Sequence, residues 1–141
     1  MTTLLRKQTF LPLVLGAAFG LLTIAATYKD VLTATWGSLA LSSEKITNVK
    51  IADFQQNVMQ PLAFKLKNKD VTGVSAHVNI FPLESGNDPV QVDMIDGAFA
   101  EDARTILKDN AKWGTKIFIE NPQYLLKGKV KTMPTIGIKL N

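Results

Sequence analysis

The stretch VSAHVNIFPLESGNDPVQVDMI, Val74 to Ile95, holds two alternating runs separated by a cluster of turn formers. Val74, Ala76, Val78 and Ile80 fall on one side of an extended chain, with Ser75, His77, Asn79 and Phe81 on the other. That period of two is expected of a half-buried strand. Val90, Val92 and Met94 repeat it, and the intervening ESGNDP is rich in residues that accept turn geometry. Residues 71–95 therefore read as a β-hairpin.

The flanking sequence extends the theme. TNVKIADF alternates through Val49 and Ile51, and PLAFKLKN through Leu62, Phe64 and Leu66, with Lys65 and Lys67 on the wet side. TKIFIEN (Thr115–Asn121) and PTIGIKLN (Pro134–Asn141) read as closing strands, joined by a lysine-rich segment that turns at Gly128. One helix interrupts them: AFAEDARTILKDNA places Phe99, Ala103, Ile106 and Leu107 on one face. Asp96 is the candidate N-cap, and Glu101 and Asp102 lie in the first turn. Residues 45–141 are thus expected to form a small, mostly antiparallel β domain with one helix.

Residues 1–44 differ in character. Gln8 to Tyr28 carries no charge, and as a helix would extend roughly 30 Å, the thickness of a bilayer's hydrocarbon core. A retained transmembrane helix over about 8–28 is expected rather than a cleaved signal, because the apolar run is long and Ile24 makes cleavage after Ala26 unfavourable. Arg6 and Lys7 precede it, so the positive-inside rule puts the N-terminus in the cytoplasm and the remainder outside. Gly16 and Gly20 form a small-xxx-small pattern, extended by Thr23 on the same face, that permits close helix-helix contact in lipid. Val31, Leu32, Trp36 and Leu39 suggest a juxtamembrane helix from Tyr28 to about Leu41. The overall expectation is an α+β chain: one N-terminal transmembrane helix, then the β domain.

Composition excludes several functions. The net charge is +4, but the lysines are scattered and only Arg104 among arginines lies beyond the N-terminal segment, which is poor equipment for nucleic acid. With no cysteine, disulfide scaffolds, thiolate metal sites and cysteine nucleophiles are ruled out. His77 is the lone histidine, on the polar side of its strand with no ligand-type neighbour at metal spacing, so it reads as a surface residue. Asp93, Asp96, Glu101 and Asp102 are accounted for as turn and helix-start residues, and no phosphate loop, nucleophile elbow or HExxH occurs. An enzyme, a cofactor and a metal are not expected. Lys127, Lys129 and Lys131 alternate along a hairpin arm, most simply as a solvated face, with an acidic partner as the alternative.

Two separated stretches are similar to one family. FAEDARTILKDNAKWGTKIFIENPQYLLKGKVKTMPTIGIKLN resembles the end of the GldM/PorM proteins, single-span motor subunits of gliding motility and type IX secretion in Bacteroidota. The matching positions are Gly114, the strand Lys116, Ile117, Ile119 and Glu120, the turn Gly128, and the strand Pro134, Ile136, Ile138 and Lys139. Near the other terminus, Lys29, Asp30, Val31 and Leu32 match the exit of that family's anchor. Family members are several times longer, and residues 44–95 align less well. The resemblance implies an inner-membrane homodimer with a periplasmic domain, surrounded by a ring of a GldL/PorL-like multi-span protein, driven by the proton-motive force and coupled to an outer-membrane ring. It also implies that Arg6 or Lys7 answers a buried glutamate of that ring, beside the contact face of Gly16, Gly20 and Thr23. A non-motor, membrane-anchored structural or binding module is the alternative.

Overall fold

Alternation governs the architecture of the computed structural model, which describes residues 30–83 and 88–141. Its elements are β1 (Leu32–Trp36), β2 (Leu39–Ser42), β3 (Thr47–Val49), α1 (Ile51–Asn57), β4 (Leu62–Leu66), β5 (Lys69–Val71) and β6 (Ser75–Phe81). They continue with β7 (Val90–Ile95), β8 (Ala98–Phe99), α2 (Glu101–Asp109), β9 (Lys116–Leu126), β10 (Lys129–Thr132) and β11 (Ile136–Leu140). A seven-stranded sheet has the order β3-β11-β9-β6-β7-β8, with β10 paired to the far end of β9, and a four-stranded sheet has the order β2-β1-β4-β5. The β3–β11 pair is parallel, and the other pairs are antiparallel.

The expected β6–β7 hairpin forms, with Val78 opposite Val92 and Ala76 opposite Met94. Val78, Ile80, Val92 and Met94 point into the core, while His77, Asp93 and Phe81 face away from it. β9 and β11 add Ile117, Ile119, Ile136, Ile138 and Leu140 to the same buried layer. From the smaller sheet, Leu32, Ala34, Trp36, Leu62 and Phe64 join the same core cluster. The C-terminal strand is held at its end as well: the Asn141 N–H donates to the Val49 carbonyl at 3.0 Å, and the Ile51 N–H donates to the Asn141 carbonyl at 3.0 Å.

The expected α+β class with an N-terminal transmembrane helix is corrected. Of the described residues 51% are strand and 15% helix, so the structure is mostly β, with two short helices instead of one. No helix among the described residues is long and apolar enough to cross a membrane, and the expected span at 8–28 lies outside them. The helix expected to reach Leu41 is a hairpin instead. Leu32, Ala34 and Trp36 are all buried, a period of two that the helical spacing of Val31, Leu32, Trp36 and Leu39 concealed. Thr33 and Thr35 favour extension, and the loop Gly37-Ser38 brings Trp36 opposite Leu39.

Two further differences have local causes. The alternation through Val49 and Ile51 stops at Lys50, because Phe54, Asn57 and Val58 recur at helical spacing and are all buried. Asp96 is not a helix cap; α2 starts after Ala100 without a side-chain cap. Asp96 (φ 54°) and Gly97 (φ 74°) instead form a two-residue turn that pairs Ile95 with Ala98, the loop chemistry Asp-Gly favours. Phe99 therefore sits on a strand, and Ala103 and Leu107 anchor the helix. Gly97 also stitches the sheets together, donating to the Val74 carbonyl and accepting from the Leu62 N–H, both at 2.8 Å.

Replacing Trp36 with Ala should cost about 3–5 kcal/mol, the range for deleting a buried aromatic, measured by denaturant unfolding followed by circular dichroism. Gly97→Ala and Gly128→Ala both place a side chain at positive φ, but a Cβ on Gly97 would lie 2.7 Å from the Leu62 carbonyl oxygen while one on Gly128 meets nothing within 4 Å. Gly97→Ala should therefore be the more destabilising by at least about 1 kcal/mol; equal midpoints would show that the turn yields freely.

Candidate functional site

β9 is the element on which two exposed surfaces converge. Its first half is central in the seven-stranded sheet, between β11 and β6, and its second half pairs only with β10 beyond Gln123. The change occurs at Asn121-Pro122, where the β9–β6 register shifts between Glu120 and Gln123. Proline lacks the N–H a sheet interior requires, so it is accommodated at an irregularity of this kind. Asn121 takes φ 34°, and its backbone N–H donates to Thr135 Oγ1 at 3.0 Å. The Pro122 carbonyl accepts from the Met133 N–H at 2.7 Å.

Beyond this bulge stands the β9–β10 arm. Lys127 (φ 53°) and Gly128 (φ 78°) form a tight two-residue turn, the geometry in which both central residues are left-handed. Leu125 lies opposite Val130, and they are 68% and 61% exposed, values that place an apolar pair in solvent rather than in a core. Leu126 is also exposed, and the whole of β10 is solvent-facing, including Lys129 and Lys131. Lys129 and Lys131 thus alternate along β10 as expected, Lys127 instead lies in the turn, and an apolar component accompanies them. Its signal was there: Leu125, Leu126 and Val130 interrupt the lysines.

The second surface is the face of the large sheet turned away from the core. Asp93, His77 and Glu120 form one cross-strand row on β7, β6 and β9. His77 Nδ1 lies 2.7 Å from Asp93 Oδ1, with both side chains well exposed. Gln91, Asn79, Phe118 and Gly137 form the next row, followed by Phe81, Lys116 and Lys139. Phe81 and Phe118 meet edge to face at 5.7 Å between centroids. A hollow of about 400 Å³ beside the acidic row is lined by Ser75, His77, Asp93, Ile95, Glu120 and Gln123. It is open to solvent, and among the described residues no group of three or more His, Asp or Glu is placed to hold a metal ion.

Arg6, Lys7, Gly16, Gly20 and Thr23, the expected contact residues in the membrane, lie outside the described residues. Of the remaining candidates, His77 and Asp93 are brought together, Glu101 starts α2, and Asp102 Oδ1 accepts from the Ala103 N–H at 2.8 Å. The Phe81–Phe118 contact and the alignment of Lys116 with Lys139 were not foreseen, because they depend on strand order, which alternation does not encode. The chain matches no family model, no curated protein and no solved structure.

The His77–Asp93 pair is solvated, and exposed pairs of this kind contribute little. Asp93→Asn should change unfolding stability by less than about 1 kcal/mol, measured by denaturant midpoint; a larger loss would make the pair part of the framework.

Proposed function

We propose that this chain is a membrane-tethered subunit of a complex of the GldM/PorM kind, with its β domain serving as an extracytoplasmic docking module. The observation that carries the reading is the β9–β10 arm, which joins exposed Leu125, Leu126 and Val130 to Lys127, Lys129 and Lys131. Leu125 and Val130 share one face of the arm, and Lys129, Lys131 and Leu126 share the other. An acidic protein partner that grips the arm would take affinity from the apolar face and steering and orientation from the lysine face. The tight two-residue turn fixes the register of the two strands that present these side chains. The two stretches that resemble the family, at Lys29–Leu32 and from Gly114 onward, lie in the family's order and support a common role.

The energy-coupled form of this reading rests on Arg6 and Lys7 ahead of an uncharged segment. A cation drawn toward low dielectric is costly unless an acid answers it, so a partner glutamate that pairs and then protonates could gate motion.

The full-length chain, purified with its neighbours from native membranes, should bring with it a GldL/PorL-like multi-span protein bearing an intramembrane glutamate. Replacing both Leu125 and Val130 with Asp should release the acidic extracytoplasmic partner while the chain stays in the membrane fraction. Arg6→Gln and Lys7→Gln, made separately, should leave the complex assembled, and at least one should abolish its work. A chain recovered alone from the membrane, or one found only in the soluble fraction, would sink the proposal.

A further inference from the structure

The open face of the seven-stranded sheet carries a charge pattern that complements itself. Lys116 stands two residues before Phe118 on β9, and Glu120 two residues after it, so all three share one face. The basic row and the acidic row therefore lie about 7 Å to either side of the Phe118 row. Among the described residues neither Lys116 nor Glu120 is engaged in an ion pair. Phe81 extends the basic row, His77 extends the acidic one, and Asn79 continues the middle row on β6.

We propose that this face pairs with the same face of a second copy of the chain, about a two-fold axis along the Phe118–Asn79 row. An axis lying in the interface along a row keeps each strand over its own copy and reverses its direction. Lys116 is then brought over the second copy's Glu120, and Phe81 over its His77, while Phe118 and Asn79 each meet their own counterparts. The interface is isologous, so every favourable contact occurs twice. Any rotation that laid basic row on basic row would be opposed by like charges, which selects this one arrangement. A partner of uniform charge would oppose either Lys116 or Glu120, whereas a second copy answers both of them.

The extent of the patch sets the strength. Four strands about 4.8 Å apart and three rows about 6.8 Å apart cover roughly 400 Å² per copy. That is about half the roughly 800 Å² per partner of a stable standard interface, so the pairing is reversible. It involves different residues from the arm and stands independently of it.

The chain contains no cysteine, which permits a direct test in the full-length protein. Asn79→Cys places a thiol on the axis, and a short bismaleimide bridges the roughly 10 Å between packed sheets. A covalent homodimer is expected in good yield, whereas Lys108→Cys, on α2, should remain monomeric under the same treatment. In the Asn79→Cys background, Lys116→Glu and Glu120→Lys should each lower the yield about tenfold. The two together should restore it, which a variant that merely unfolds cannot do. The Leu125→Asp, Val130→Asp chain should cross-link as well as the parent. Asn79→Cys yields no better than those of Lys108→Cys, a double reversal no better than either single one, or cross-links made to a different protein would each overturn the proposal.

Discussion

Trp36 has no exposed surface and touches three separate parts of the chain. It lies edge-on to Phe54 of α1 at 5.2 Å and stacks with Phe99 of β8 at 5.5 Å. Its indole N–H donates to the Gln60 carbonyl at 2.9 Å, so the polar atom of the ring is satisfied in the position that packs the rest of it. The smaller sheet, the first helix and the far edge of the larger sheet are held through this one side chain. Burying an aromatic of this size is worth about 5 kcal/mol as an upper bound, against total stabilities of about 5–15 kcal/mol for a domain. Asn57 supports the same corner, accepting from the Ser38 N–H at 2.8 Å and donating to the Asp53 carbonyl at 2.8 Å.

The strands at 62–66, 75–81, 90–95 and 136–140 were legible because each keeps its apolar residues in one phase, and the core takes that phase up unchanged. Leu32 to Leu39 was misread because a short apolar run satisfies both the helical and the extended period, and only pairing in space separates them. Asp96-Gly97 carried a hairpin signal, but its position ahead of a helical pattern made capping the more obvious reading. Strand order was beyond reach: β9 lies between β11 and β6, which are distant from one another in sequence. The candidate surfaces inherit that limit. Local alternation showed the arm lysines, whereas the rows on the sheet face exist only once strands from three regions of the chain are aligned.

The large sheet buries one face and leaves the other to solvent, as antiparallel sheets commonly do. On the buried face its side chains are aliphatic, joined by Met94 and Phe99, and on the open face charged and amide groups, with the exposed Ile95 and Ile46, surround a single aromatic contact. An open face under no selection except solubility would be expected to mix its charges, because adjacent like charges repel. Here Lys116 and Lys139 are cross-strand neighbours in one row, and Glu120 and Asp93 flank His77 in another. Segregation of that kind carries an electrostatic cost in the isolated chain, modest in water, that opposition to a complementary surface would offset.

The bulge at Asn121-Pro122 gives the two surfaces different mechanical character. Lys116 to Ile119 are held on both sides by β6 and β11, and Glu120 is paired with β6, so the rows of the sheet face have little freedom to rearrange. Tyr124 to Leu126 have a partner on one side only, and β10 pairs with nothing else. Backbone with fewer ladder bonds and fewer buried contacts opens at lower free energy. The arm is therefore suited to adjusting against a partner, and the sheet face to presenting a pattern that is already in place. Because one strand contributes to both, a partner pulling on the arm would load the ladder beneath Phe118 through the bulge, where the Thr135 hydroxyl that accepts from both Asn121 nitrogens and the Met133 N–H that donates to the Pro122 carbonyl resist that load.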